Sequence, residues 1–318
     1  MKFRTEIEPF TLGTDIDYRS RLLALGSCFA EHIAARLSRA RFRIEANPTG
    51  ILFNPASIVR TLERLWHAEP VRREELHRSR EGVWFHYDFH GSLSRTEADE
   101  ALDAMNEAVR RGAEALHGAD TLLLTFGTAW VYDHEGRPVA NCHRQPAAEF
   151  HRRRMTVEEI VAPLARLLEG ELAAKRLIVS VSPVRHAGDG LVENSLSKAT
   201  LRLAAAALEE RFAERVRYFP AYEMLVDDLR DYRFYAEDLV HPSPQAVEYV
   251  WEHFRRRPSR SGPGGCCPRS SGLSAPRSTA CSTPAARRAA PSAGSSSPPS
   301  RRSPRSISPP NGHISHAF

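Results

Sequence analysis

Four short apolar runs, each followed by a segment with helical spacing, set the strongest limit on how this chain can fold. Arg21 to Leu25, Asp120 to Phe126, Arg176 to Val181 and Val216 to Pro220 are nearly continuous in Leu, Ile, Val, Phe and Tyr. A strand with one wet face alternates polar and apolar residues, so unbroken runs of this length are expected to be strands covered on both faces. Cys28 to Ser38 places Phe29, Ile33 and Leu37 on one helical stripe, and Ala56 to Leu65 reads as a second helix with Pro55 in its first turn. Thr96 to Leu116, Thr156 to Leu172 and Ser195 to Phe212 read as three more, Thr156 and Glu159 being spaced as a capping box. Strand and helix in this cadence predict an α/β domain with a mainly parallel sheet and helices on both faces. Ligands of such sheets sit beyond the carboxyl ends of the strands, here Ser27, Gly127-Thr128, Ser182-Pro183 and Phe219-Pro220. Between Glu81 and His90 stand Trp84, Phe85, Tyr87 and Phe89, either a hairpin or a substrate-facing loop, with packing onto the core the favoured role.

The chain of 318 residues is two different polymers joined near Arg255. Residues 255–318 contain no Asp or Glu and 11 arginines, which leaves 33 basic against 39 acidic residues in 1–254, a formal charge of −6. The net +5 of the whole chain therefore describes its end and not the body. A segment dominated by Ser, Pro, Gly, Ala and Arg cannot offset its ordering entropy by burial, so 255–318 is expected to be disordered. The change falls just after the amphipathic stretch Gln245 to Phe254, as if a helix were cut in mid-course, and the composition is what a shifted reading frame in GC-rich DNA produces. A frameshift product is the favoured reading, with a body lacking its C-terminal end; a genuine basic tail, able to hold nucleic acid by charge, is the other.

Of five cysteines only Cys28 and Cys142 lie in the body, too few for a disulfide framework. The N-terminus lacks the apolar core of an export signal and no run spans a bilayer, so a cytoplasmic protein without a membrane segment is expected. The first strand is followed by no dinucleotide glycine pattern, and no phosphate-binding loop occurs. His86 and His90 lack an intervening glutamate, and no histidine or cysteine group has a known metal spacing; neither metal nor cofactor is expected.

What remains is nucleophile chemistry. Ser27 stands where the first strand hands over to a helix, flanked by small residues in Gly26-Ser27-Cys28-Phe29-Ala30. Far downstream, Asp238 and His241 are spaced to share a turn, one orienting an imidazole and the other taking a proton from a serine. Cys28 competes as a nucleophile at a helix N-terminus but reads as a packed small hydrophobe.

The run Gly26 to Ala30 also carries a family resemblance. With Asn54-Pro55, Thr125 to Tyr132, Asn141-Cys142-His143, Val181 to His186, Glu193 to Ala199 and Tyr218 to Glu223 following in order, residues 1–254 resemble the GSCFA-domain family, related to the SGNH/GDSL-like hydrolases. The resemblance implies a three-layer α/β sandwich, flavodoxin-like or SGNH-hydrolase-like. It implies a serine esterase acting on a small-molecule or glycan acyl ester, with Ser27, Asp238 and His241 catalytic. Ser27 and Gly50 match oxyanion donors through their backbone N–H groups. The asparagine normally found two places after the glycine of the third block is Ala129 here, and Thr128, Asn54, Asn194 or His143 is expected to stand in. His143, Arg185, His186 and Asn194 are candidate substrate-binding residues; Arg185 could instead brace Asp227-Asp228, and Lys198 could be a solvated helix residue. A non-catalytic carbohydrate-binding or structural module on the same fold is the alternative.

Overall fold

Successive side chains of the first strand leave to opposite faces, and both faces are covered: Leu23 and Leu25 enter one apolar cluster, Leu22 and Ala24 another. The computed structural model describes residues 4–7 and 16–255. In chain order the elements are β1 (Arg21–Gly26), α1 (Cys28–Arg39), β2 (Arg43–Ala46), α2 (Pro55–Trp66), β3 (His77–Arg78), β4 (Trp84–Phe85), α3 (Ala98–Gly118) and β5 (Thr121–Phe126). Next come β6 (Trp130–His134), β7 (Arg137–Val139), β8 (His151–Arg154), α4 (Val157–Glu169), β9 (Arg176–Val181), α5 (Leu191–Arg211) and β10 (Val216–Phe219). A single turn, α6 (Ala221–Glu223), then runs into a π-helical stretch, Met224–Leu229, before α7 (Pro244–Arg255).

The central sheet is parallel throughout, in the order β2-β1-β5-β9-β10. On one face Ile58 and Leu62 of α2, Met105 and Val109 of α3, Ile160 and Leu164 of α4 and Leu201 and Leu208 of α5 pack against Leu25, Leu124 and Val179. On the other, Phe29, Ile33 and Leu37 of α1 and Val250 and Phe254 of α7 pack against Leu22, Leu123, Ile178 and Phe219. The expected α/β architecture with helices on both faces is present, with smaller antiparallel pieces added. Chain direction across the sheet reverses at β1, so the carboxyl ends of β1 and β5 border the crevice where open sheets accept ligands.

Several boundaries and four strands differ from the sequence reading. The segment expected from Ser195 begins as α5 at Leu191, after Gly190 with φ +86°. The capping box forms as expected, Thr156 Oγ1 accepting the Glu159 N–H and Glu159 accepting that of Thr156. Of the aromatic segment only Trp84 and Phe85 form a strand, β4, paired with β3; Phe85, with Tyr87 and Phe89 beyond it, is buried, in keeping with packing onto the core. Edge strand β2 and the antiparallel sheet β7-β6-β8 were not anticipated. The expectations of disorder, of a reading-frame origin and of nucleic-acid binding for the C-terminal segment concern residues that, beyond Arg255, lie outside those described.

Candidate active site

Ser27 is the N-cap of α1, in extended backbone at φ −66° and ψ 171°, and its side chain does not cap the helix. It is 1% exposed, and its hydroxyl has no hydrogen-bond partner. The turn is fixed by backbone bonds around it: the Asn47 side chain accepts the Gly26 N–H at 2.9 Å, and Leu52 donates to the Gly26 carbonyl at 3.0 Å. Strand β1 thus ends against the Asn47–Gly50 turn, and the chain past that turn lies beside the nucleophile candidate.

The expected oxyanion donors are engaged within the protein. The Ser27 N–H reaches the Thr125 carbonyl at 3.3 Å and the Gly50 N–H that of Asn47 at 2.8 Å. Asn54 caps α2, accepting the Ser57 N–H at 2.9 Å, and its amide turns to the Val139 carbonyl at 3.4 Å. Thr128 Oγ1 lies 3.1 Å from Ser197 Oγ and accepts the Trp130 N–H at 3.1 Å. Ala129, where an asparagine was expected, donates its own N–H to Ser197 Oγ at 2.7 Å.

Asp238 and His241 do come together. Nδ1 of His241 lies 2.6 Å from Oδ2 of Asp238, while Oδ1 of Asp238 accepts the N–H groups of Val240 and His241 at 2.9 Å each. Desolvation pushes the Asp238 carboxyl up, but these backbone bonds and the imidazole outweigh it and bring the pKa down to about 2. The carboxylate therefore stays charged and holds Nδ1 protonated, leaving Nε2 of a half-exposed ring as the basic nitrogen. No hydrogen bond joins His241 to Ser27. The Arg185 N–H donates to the Val240 carbonyl at 3.1 Å, which ties the Asp238–His241 turn to the segment that follows β9.

The second group of candidates divides by role. His143 sends Nε2–H to the carbonyls of His86 and Phe89, both at 3.0 Å, and stacks on Phe85 at 4.4 Å; burial pushes its pKa down to about 4. It fastens the aromatic loop. Arg185 does not brace Asp227-Asp228: Tyr249 Oη donates to Asp228 at 2.5 Å, and the Arg4 guanidinium lies 3.6 Å from that carboxylate. Its guanidinium lies over the Tyr235 ring at 3.9 Å and reaches the Leu239 carbonyl at 3.5 Å, beside the Asp238–His241 turn. The Asn194 side chain accepts the His186 N–H at 3.0 Å. His186 is buried next to Phe53 and Gly127, and desolvation, followed by the charges of Lys198 and His241, pushes it down to about 3.

Lys198 is not a solvated helix residue. It is 1% exposed, and its Nζ donates to the carbonyls of Gly127 at 2.6 Å and Ser182 at 2.8 Å, the first residues after β5 and β9. Desolvation pulls its pKa down to about 7. The signal was present in the sequence: Asn194, Lys198, Leu201, Ala205 and Leu208 recur at spacings of four and three, the buried stripe of α5. The half-buried Cys28 thiol is pushed up by desolvation and by Glu31, so it is no ready thiolate.

A small cavity of about 30 Å³ opens between the residues that precede α2 and the antiparallel sheet, lined by Phe53, Asn54, Thr128, Trp130, Tyr132 and Asp189 among others. Arg152 lies over the Trp130 ring at 3.7 Å and pairs with Asp189. Sequence reasoning did not single out these aromatics. Among the described residues no group of three or more His, Cys, Asp or Glu is placed to hold a metal, and no helix is long and apolar enough to cross a membrane.

The five-stranded parallel sheet covered by helices, with smaller antiparallel pieces, puts the chain in the α/β class. The GSCFA family model matches residues 21–254, and the chain belongs to the GSCFA family. No curated protein matches it.

Proposed function

We propose that this protein is a serine hydrolase of carboxylic esters, taking acyl groups from small molecules or glycans. The observation that supports the reading is the 2.6 Å contact between Asp238 and His241, the carboxylate–imidazole half of a Ser-His-Asp relay. The strand order, with its reversal at β1, is that of flavodoxin-like sheets and supports an SGNH-hydrolase-like sandwich. Free Cys28 and Cys142 fit a reducing cytoplasm.

In the mechanism, Nε2 of His241 removes the Ser27 proton while Asp238 holds Nδ1–H and stabilises the imidazolium. Ser27 Oγ attacks the acyl carbon, His241 returns the proton to the leaving alcohol, and water releases the acyl group by the reverse path. Negative charge on the carbonyl oxygen is received by backbone N–H groups. The Ser27 N–H, held at 3.3 Å by Thr125, is more easily redirected than that of Gly50, held at 2.8 Å by Asn47. Because Ser27 is 1% exposed, local opening at the Ser27 turn precedes attack.

That burial, together with the occupied donors, is the specific observation that favours the second reading, a non-catalytic carbohydrate-binding or structural module. Fluorophosphonate labelling of the full chain between pH 6 and 9 separates the two. Slow covalent labelling that Ser27→Ala and His241→Ala both lose is the expected result. A folded wild-type protein that takes no label at any pH in the range rejects the hydrolase.

A further inference from the structure

A buried ammonium is the most expensive group to place in a core, and a lysine without a carboxylate asks for a reason. Lys198 has no acidic partner among the described residues; its two bonds go to the carbonyls of Gly127 and Ser182. Those residues follow neighbouring strands, in which Phe126 is paired with Val181. The adjacent Ser197 takes the Ala129 N–H and meets the Thr128 hydroxyl, so one turn of α5 anchors the whole Gly127–Ala129 segment.

The charge acts on both sides of the crevice. It favours the thiolate form of Cys28, the residue after Ser27, and opposes protonation of His186 behind β9. The Tyr222 ring lies 5.9 Å from Nζ. A neutral donor could bridge two carbonyls at a lower desolvation cost; only a cation adds potential at the start of α1. That site is short of donors, since the N–H groups of Ser27 and Gly50 are engaged and Ala129 offers no side chain that can donate.

We propose that Lys198 is a positioning residue: it holds the ends of β5 and β9 beneath the crevice and supplies the positive potential that favours an anion at the Ser27–Cys28 turn. Its consequence for turnover rests on the ester-hydrolase reading; its electrostatic action on Cys28 does not.

The test uses the full chain and the variants Lys198→Met and Lys198→Arg. The rate of iodoacetamide modification at Cys28 is followed by mass spectrometry between about pH 5.5 and 6.5, where the Lys198 amine is charged, with Cys142, whose thiol is raised by burial alone, as the internal control. In Lys198→Met the Cys28 curve in this range is expected to shift down about tenfold in rate, with Cys142 unmoved and Lys198→Arg near wild type. For hydrolysis of p-nitrophenyl acetate, kcat is expected to fall about tenfold in Lys198→Met with KM within about twofold of wild type. A folded Lys198→Met with an unchanged Cys28 curve overturns the proposal. If that variant does not fold, ¹³Cε-lysine NMR of the wild type decides: a Lys198 amine charged at pH 6 supports the role, and one already neutral there overturns it. Absence of ester turnover in the wild type, with the Cys28 shift present, sinks the hydrolase and leaves the electrostatic role of Lys198 standing.

Discussion

The backbone N–H of Arg185 donates to the carbonyl of Val240 at 3.1 Å, and this bond joins the segment behind β9 to the turn that carries Asp238 and His241. The Arg185 side chain repeats the connection, stacking on Tyr235 and reaching the carbonyl of Leu239. Leu239 needs the support, because it sits in left-handed backbone at φ +57°. Arg185→Ala keeps the backbone bond and removes the brace. The expected outcome is a loss of about 1 kcal/mol in stability and about a tenfold fall in kcat/KM for ester hydrolysis, through loss of imidazole orientation. Urea unfolding and steady-state kinetics on the same preparation check both; unchanged kinetics in a destabilised variant would confine Arg185 to stability.

A second expectation concerns the price of keeping Ser27. Its hydroxyl is buried and unbonded, a state that leaves the desolvation of a polar group uncompensated. Removing the oxygen leaves the backbone of the turn untouched, because the side chain caps nothing. Ser27→Ala is therefore expected to raise unfolding stability by about 1 kcal/mol while abolishing covalent labelling. Thermal and urea denaturation measure the gain, and a clear loss of stability would show that the hydroxyl has a partner in solution.

How far the fold and site could be read in advance depended on which physical signal each segment carried. Leu22 to Leu25 and Leu177 to Val181 announce buried strands because apolar side chains leave both faces. Strand β2 carries the other signal, the alternation of Arg43 and Glu45 with Ile44 and Ala46 at a sheet edge, which a search for continuous apolar runs passes over. Strand β8, His151 to Arg154, is polar throughout and is held by cross-links that no periodicity reveals: Arg153 bonds Asp133 and Glu159, both at 2.7 Å. The β6–β7 hairpin had a local signal in Glu135-Gly136, both at positive φ as a two-residue turn of this kind requires. For the site, the pairing of Asp238 with His241 followed from spacing alone. The engagement of the Ser27 and Gly50 N–H groups did not, because it depends on carbonyls of other segments. Lys198 was misread because its residue type outweighed its place on the apolar stripe of α5.

Acid should destabilise this protein before its carboxylates titrate. Burial holds His86 at about 4, His143 at about 4 and His186 at about 3, all below the ordinary 6.5. Below pH 6.5 the unfolded chain binds protons at these three positions while the folded chain does not. Stability therefore rises with pH between about 4 and 6.5 and is lost on acidification through that window, each histidine contributing up to about 1.4 kcal/mol per pH unit. Urea midpoints at pH 6.5, 5.5 and 4.5 are expected to fall at each step. In His143→Gln, which can still donate to the carbonyls of His86 and Phe89, the slope is expected to drop by one proton.

Gly26, the first residue of the GSCFA run, has φ +139°, and a Cβ built on it would stand 2.2 Å from the Thr125 carbonyl oxygen. The obstacle is backbone of the neighbouring strand and cannot turn aside as a side chain would. Gly136, at φ +79° in the β6–β7 turn, has nothing within 4 Å of the same position. The two glycines thus separate steric collision from conformational strain. Gly136→Ala is expected to cost about 1 kcal/mol, the strain alone. Gly26→Ala adds the collision and is expected to cost about 3 kcal/mol or more. Relieving it forces β1 away from β5, where the register joins Gly26 to Thr125 and the Ser27 N–H meets the same carbonyl. Urea unfolding of both variants tests the difference, and equal losses would mean that the strand ends yield more readily than their packing indicates.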